Sequence, residues 1–540
     1  MQIVRIGDGA VQQTTAEIIG AKAANLARMA ALGLPVPPAF VVPIELCEAI
    51  VRQDADAKRQ LADGLAAGIE FLENVTGRRF GNRRQPLLVS VRSGAARSMP
   101  GMLDTVLNVG CTREATSGLI RMTGNPRFAW DCRRRFLESF SSIVLEIEPT
   151  LLAGTLTRIV TDEGVDGDGK LDCEAVENVV RAYQQVIEED EGGTLSDDPM
   201  EQLEAAAQAV YRSWTSKRAV AYRELEHFGD LRGTAVTVQA MVFGNRGASS
   251  GSGVAFSRDP STGRAEPVID VLFDAQGEDV VSGNRNPETE EAIGRSLPAV
   301  AAELHETLAR LEQEFRDVQD VEFTIEGGRL WILQTRAAKR TPRAALQFAI
   351  DFVKEGKITT SQALQRLNGL DLSALVQRRL IECGKPVARG TGASAGIAVG
   401  RAAFDSAGAE RLTAGGNPVI LIRPETSTAD VRGFAASVGI VTAIGGRTAH
   451  AALVARQMSK PCIVGCPDLK IDVGNRWAQL DGARIDEGDW LSMDGEAGTI
   501  YLSRCDVAVD RPEMELAEVE RWRKQATESQ LLKSAEPKGQ

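Results

Sequence analysis

The sequence is poor in histidine. His227, His305 and His450 are the only three in 540 residues, which leaves little room for a histidine-built metal centre. No run approaches the roughly 18 apolar residues that a spanning helix needs, so no membrane-crossing segment is expected. The opening, MQIVRIGDGAVQQ, lacks a basic region followed by an apolar stretch, which argues against a secretion signal. The eight cysteines (Cys47, Cys111, Cys132, Cys173, Cys383, Cys462, Cys466 and Cys505) form no CxxC pair. A chain this long can bury a core without disulfides, so reduced thiols in a cytoplasmic protein are the expectation. GxxxxGK[ST] is absent, which excludes a P-loop. The glycine-rich GNRGASSGSG lies between two expected strands rather than a strand and a helix, which excludes a Rossmann turn. No internal repeat with a period of roughly 20–50 residues is present.

What is there is ordinary in composition. Apolar residues make up 43% and charged residues 25%, the balance of a globular protein. At roughly 150 residues per domain the length suggests three or four domains. A net charge of −12 disfavours nonspecific nucleic-acid binding, although local basic loops can still hold phosphates.

Hydrophobic periodicity gives a mixed reading. GAKAANLARMAAL (20–32) reads as a helix stopped by Gly33 and the following prolines. PLLVSVRS (86–93) reads as a buried strand. Residues 126–160 and 174–225 read as largely helical, separated by TDEGVDGDGK, and TAVTVQAMVFG, GVAFSRD and PVIDVLF read as strands. Residues 288–316 form one charged amphipathic helix in this reading, followed by the hairpin DVEFTI–EGGR–LWILQTR. The expected division is residues 1–340 with a helical insert at about 112–225, a connector of short helices at 341–385, a compact α/β domain at 386–505, and a charged helical tail at 506–540.

Three constellations carry chemistry. In IVTAIGGRTAHAALVARQM (440–458) a strand ends in Gly445-Gly446, Thr448 is the expected N-cap and His450 falls in the first helical turn. Unpaired amides and the positive helix end make a resting place for a phosphoryl group, and the same field keeps His450 neutral and nucleophilic. Ala449, Ala451 and Ala452 leave steric room around the ring. The bland alternative is a histidine packed at a helix start.

The hairpin at 320–336 is the second. In one register Glu322 faces Gln334 and Asp320 faces Arg336, with Val321, Phe323, Trp331 and Leu333 toward the core. A carboxylate beside an amide oxygen is a sparse oxygen site for Mg²⁺ that completes its shell with nucleotide phosphates. A surface hairpin with a cross-strand ion pair accounts for the pattern equally well.

The third comprises Lys22 after Gly20 at a helix start, Arg92 at the end of LLVSVRS, and the loop SMPGMLD, which includes Gly101 and whose amides could close over phosphates. A single cation at such a place is usually a solvated surface charge. GVDGDGKLDCEA imitates a calcium loop. Aligning Gly169 with the turn glycine puts Gly164 first and Ala175 last, so the bidentate acid is missing.

Taken in order, GAKAANLARMAALGLPVPPAF, LLVSVRSGAARSMPGMLDTVLNVG, GTAVTVQAMVFGN, SGSGVAFSRDPSTG, AQGEDVVSGNRNP, DVEFTIEGGRLWILQTR and GGRTAHAALVARQMSKPCIVGC resemble the pyruvate phosphate dikinase family. The resemblance implies an α/β and α+β multidomain chain, with an ATP-grasp nucleotide-binding region followed by a swivelling phosphohistidine domain of PEP-utilising type. It implies His450 as phosphoryl carrier, taking the β,γ-diphosphoryl unit of ATP. Phosphate then removes the terminal phosphoryl as pyrophosphate, and the phosphohistidine serves pyruvate. Lys22, Arg92 and Arg336 match nucleotide and phosphate positions. Asp320, Glu322 and Gln334 match positions that hold the nucleotide and Mg²⁺, the last two as metal ligands. Thr448 matches a threonine phosphorylated by a regulatory protein in some members, where added charge would crowd His450.

The chain departs from the family pattern at Ala449, where serine is usual, at Ala21 and Ala23, where glycines are common, at Asp270, which replaces a glutamate, and at Ser459, which replaces a glycine. The (β/α)₈ barrel that binds pyruvate or phosphoenolpyruvate would start near the end of this sequence. The expectation is therefore a module limited to the ATP and phosphate partial reactions unless a separate chain supplies the barrel. The alternatives are a different phosphoryl acceptor, or a non-catalytic nucleotide-binding regulatory paralogue.

Overall fold

The structure is a computed structural model that describes residues 2–7, 9, 14–97, 99, 102–190, 195–282, 285–372, 375–426, 430–447 and 449–535. Two compact units emerge, one of Met1–Ala248 with Trp331–Thr335 and one of Ser249–Leu330 with Arg336–Gln540. This division differs from the expected boundary at residue 340, because the second sheet and the histidine-bearing domain share a unit.

The first unit is built on a five-stranded antiparallel sheet in the order Val4–Ile6, Ala39–Val42, Ala235–Ala240, Val89–Gly94 and Thr105–Val109. Its helices earn their place by apolar spacing. In Ala55–Thr76 the buried Leu61, Leu65, Ile69 and Leu72 form one stripe, the Asp54 carboxylate accepts the Ala57 amide, and left-handed Gly77 closes the helix. Helices Pro126–Ile143, Cys173–Glu189 and Pro199–Arg212 fill the same core. Carbonyls of the acidic 162–171 loop accept from Arg127, which makes it a structural turn rather than a cation site.

The second unit contains an antiparallel sheet in the order Glu288–Thr289, Val268–Phe273, Gly251–Phe256 and Gln319–Glu326, and the two ends of the next strand, Arg329–Ala337. The expected single helix over 288–316 is two, Glu290–Ser296 and Pro298–Phe315, because Leu297 leaves helical geometry ahead of Pro298. An eight-stranded sheet follows, whose central strands Ile397–Ala403, Val419–Arg423, Gly439–Thr442 and Cys462–Val464 run parallel. Helices Pro342–Lys354 and Thr360–Arg366 pack with Phe256 and Val318 and with Val519 and Trp522 of the tail helix Glu513–Ala535.

The connector and tail are not purely helical. Gln377–Ile381 pairs antiparallel with Asp506–Asp510, so the two ends of the histidine-bearing domain meet in a two-stranded ribbon. Beside that ribbon Cys383 and Cys505 form a disulfide across 122 residues, against the expectation of reduced thiols throughout. Among the described residues the other six cysteines form no disulfide. Spacing in the chain carried no sign of this pair, since only the ribbon brings its halves together. Among the described residues no helix is long and apolar enough to cross a membrane.

Candidate functional site

His450 lies where a parallel sheet presents the carboxyl ends of its strands, the usual place for a ligand in such sheets. Strand Gly439–Thr442 runs into a loop turned by Gly445 at φ 119°, and the helix His450–Gln457 begins at once. Ala449, not Thr448, occupies the N-cap position, with φ −62° and ψ 161°. Alanine has no side-chain acceptor, so Ala449 supplies this helix start with no side-chain cap. Thr448 itself lies outside the described residues. Ala451 and Ala452 pack with Ala393, Phe434 and Ile440 in a small core, so they seat the helix rather than clear space around the ring.

The imidazole is half-buried. Thr426 Oγ1 lies 3.5 Å from Nδ1, and the Phe434 ring stands edge-on at 6.2 Å between centroids. Among the described residues Nε2 has no hydrogen-bond partner. Burial lowers the His450 pKa below its ordinary value, and the nearby Asp430 carboxylate opposes this only in part. The neutral form expected from the helix field is therefore favoured, with desolvation as the main cause. Asp430 is itself held by Arg423 at 3.2 Å and by the Ser406 hydroxyl at 3.4 Å.

Sheet register in the second unit gathers the carboxylates. Thr289 pairs with Asp270, Asp270 with Val254, and Val254 with Glu322, so Asp270 and Glu322 occupy one row and one face. Asp320, two residues along and paired with Phe256, shares that face. Arg336 Nε donates to Asp320 Oδ2 at 2.8 Å, as the expected register requires. Among the described residues Asp320 Oδ1 is buried without a hydrogen-bond partner, and burial raises this carboxyl's pKa even though Arg336 opposes it. Burial works against the Arg336 charge as well, but Asp320 and Glu322 raise its pKa overall.

That register holds only at the open end of the hairpin, where the Ala338 amide also donates to Val318 O at 2.8 Å. The strands close over a two-residue turn, Gly327-Gly328, with both φ positive, which places Glu326 across from Arg329. In between, the Ile332 amide donates to Pro35 O at 2.7 Å instead of across the hairpin, and the register shifts. Leu330 and Ile332 are consequently buried, while Trp331 and Leu333, expected in the core, are half-buried.

Arg456 was missed by sequence reasoning. It lies on the histidine helix, is 2% exposed, and donates to Arg447 O and Ala393 O, each at 2.7 Å. Its guanidinium stands 5.3 Å over the Phe256 ring, beside the row that carries Asp320. Thr426 and Asp430 were missed as well. The strand order that puts Val419–Arg423 beside Gly439–Thr442 is the only signal for them.

In the first unit, Gly20 at φ 81° kinks the helix Ala16–Ala31, and a Cβ there would collide with Gly94 O. The Ala21 amide donates to Ala95 O at 2.9 Å, which brings the backbone of the Lys22 turn to the strand end that carries Arg92. Gln334 is also in this unit, buried at 8% exposure. Gly101 lies outside the described residues. Among the described residues no three histidine, cysteine, aspartate or glutamate side chains form a metal-holding group.

Comparison with known proteins decides the family. The pyruvate phosphate dikinase AMP/ATP-binding domain matches residues 57–302 and 298–357, and the mobile domain of PEP-utilising enzymes matches 415–498, which includes His450. The chain belongs to the pyruvate phosphate dikinase family. It is 40% identical over 489 residues to the pyruvate, phosphate dikinase of Clostridium symbiosum, covering 90% of this chain and 56% of that one. A chloroplastic dikinase of Arabidopsis thaliana is 41% identical over 495 residues, covering 90% and 51%. That of Flaveria trinervia is 39% identical over 523 residues, covering 96% and 55%. The chain thus spans about half the length of the curated relatives it matches, and within that half the dikinase nucleotide-binding and mobile domains are both represented.

Proposed function

We propose that this chain performs the nucleotide half of dikinase chemistry on its own His450. Nε2 attacks the β-phosphorus of ATP, the bond to the α-phosphoryl oxygen breaks, and AMP leaves with that oxygen. Inorganic phosphate then takes the terminal phosphoryl as pyrophosphate, and a phosphohistidine remains. The single observation that carries this reading is a half-buried imidazole whose pKa burial lowers and whose Nε2 has no partner among the described residues, in the same unit as a sheet face bearing Asp270, Asp320 and Glu322.

The chain's residues divide the work. Thr426 orients the ring through Nδ1, which leaves Nε2 as the nucleophile. Arg336, fixed by Asp320, is assigned to the nucleotide's phosphates, and so, on the family motif, are Lys22, Arg92 and Gly101. Glu322 and Gln334 are assigned to Mg²⁺, whose charge when bound draws electron density from phosphoryl oxygens. Carboxylate and amide oxygens suit an ion that takes its remaining ligands from phosphates and water. Thr448 is proposed as a regulatory phosphorylation position. Transfer onward to pyruvate is proposed only where a barrel domain is supplied, and the compartment is proposed to be cytoplasmic.

Incubation with β-³²P-labelled ATP, Mg²⁺ and phosphate should leave an acid-labile, base-stable label and release AMP. Label that persists in His450→Ala, or its absence from the unaltered chain, rejects this reading. Addition of a barrel domain and pyruvate should yield phosphoenolpyruvate; failure there with His450 labelled points to another acceptor.

A further inference from the structure

The turn that leads into His450 is gripped by a loop from a different sheet. Asn286 Oδ1 accepts the Gly445 amide at 3.0 Å, and a Cβ built on Gly465 would lie 3.3 Å from the same oxygen. A Cβ on Gly446 would collide with Pro287 Cγ and lie 2.8 Å from Asp270 Oδ2. Gly446 is buried and does not use the left-handed backbone region, so steric closeness, not backbone angle, explains its lack of a side chain.

The gripping loop is anchored to the second sheet. Asn286 and Pro287 run directly into Glu288–Thr289, and Thr289 pairs with Asp270 on the row that continues to Glu322. Whatever touches Asn286 and Pro287 is therefore located relative to the acidic sheet face to within a hydrogen bond and a van der Waals contact. A carboxamide suits the task. It accepts from a backbone amide without adding charge beside the buried Asp270.

We infer that Asn286 and Pro287 are positioning residues for phosphoryl transfer, which seat the Gly445–Gly446 turn and so fix where His450 meets the triphosphate. Neither residue touches the reacting atoms in this account. The inference rests on the reading of His450 as the phosphoryl acceptor. Misplacement by about an ångström can cost on the order of a hundredfold in such a transfer, so modest changes at the seat should be visible in rate.

The test uses the full chain and two phosphoryl donors. With ATP, Asn286→Ala and Gly446→Ala should each lower the initial rate of His450 labelling by about tenfold or more, while KM for ATP stays within about twofold. Phosphoramidate is a small donor that needs no seat, and it should label His450 in the unaltered chain and both variants at rates within about twofold. Pro287→Ala removes the ring carbon that a Cβ on Gly446 meets most closely, and in that background it should restore about threefold or more of the ATP-driven rate. Thermal melts confirm that each variant is folded. ATP-driven labelling at the unaltered rate in both variants overturns the inference. A parallel loss with phosphoramidate also overturns it, because the defect would then lie in the histidine itself. If the unaltered chain takes no label from ATP, the functional reading fails instead.

Discussion

Glu312→Gln is predicted to loosen the connector that carries the histidine-bearing domain. Glu312 and Arg258 are 7% and 6% exposed in their side chains, and Arg258 donates to Glu312 from Nε at 3.0 Å and from Nη2 at 2.8 Å. Ser257 and Lys357 donate to the same carboxylate at 2.9 and 2.6 Å. The cluster ties the end of strand Gly251–Phe256 to helix Pro298–Phe315 and to the segment after helix Pro342–Lys354, where Glu355 accepts from Arg258 at 2.7 Å. Removal of one partner from a buried pair costs on the order of 3–5 kcal/mol. The glutamine amide still accepts, and Glu355 still balances part of the Arg258 charge, so about 3 kcal/mol is expected.

Chemical unfolding followed by a probe on this unit measures the loss. Burial opposes ionisation of Glu312, but bonds from Arg258 and Lys357 outweigh it and hold its pKa below the ordinary carboxylate value. A carboxyl lowered on folding adds stability above its unfolded pKa of about 4.3, and that stability is lost as pH falls through the folded value. Glu312→Gln should therefore also flatten the acid limb of the stability profile. The double replacement Arg258→Met with Glu312→Leu should lie nearer the unaltered protein than Glu312→Gln does. A loss under about 1 kcal/mol for the single change, with the acid limb intact, would refute the claim that this cluster anchors the connector.

Gly20→Ala should destabilise the first unit by more than the roughly 1–2 kcal/mol of a left-handed non-glycine residue, since its Cβ also strikes Gly94 O, and should raise KM for ATP through the displaced Lys22 turn; calorimetry and initial rates check both. Thiol titration of the denatured, unreduced chain should count six groups, rising to eight after reduction, as the Cys383–Cys505 pair requires. Burial lowers the His450 pKa, so ATP-driven labelling should hold steady as pH falls through the ordinary imidazole value of about 6.5 and decline only below it. Asp430→Asn removes the charge that favours imidazolium, and should move that decline lower still in a rate–pH profile.

Elements governed by local pattern were legible in the sequence. The strand–glycine–helix context of His450, the helix that follows Gly20 and the Asp320–Arg336 pairing follow from periodicity, glycine placement and register at the hairpin's open end. The features that escaped depend on which distant strands become neighbours. Thr426 and Asp430 reach the imidazole only because of the parallel strand order, and Arg456 meets Phe256 only through packing of the histidine helix on the second sheet. The hairpin shift arises because the Ile332 amide leaves the ladder for Pro35, some 300 residues earlier in the chain. The Cys383–Cys505 pair depends likewise on the Gln377–Ile381 and Asp506–Asp510 ribbon. Expected metal and phosphate roles for Glu322, Gln334, Lys22 and Arg92 rested on family motif more than on residue pattern, because a lone cation or carboxylate has too many ordinary uses.

Phosphorus-31 NMR of the chain after reaction with ATP, Mg²⁺ and phosphate, with mapping of the modified peptide, addresses the mechanism at its core. One nitrogen-linked phosphorus on Nε2 of His450 is the predicted result; phosphorus on Nδ1, on any other residue or nowhere in the chain contradicts it.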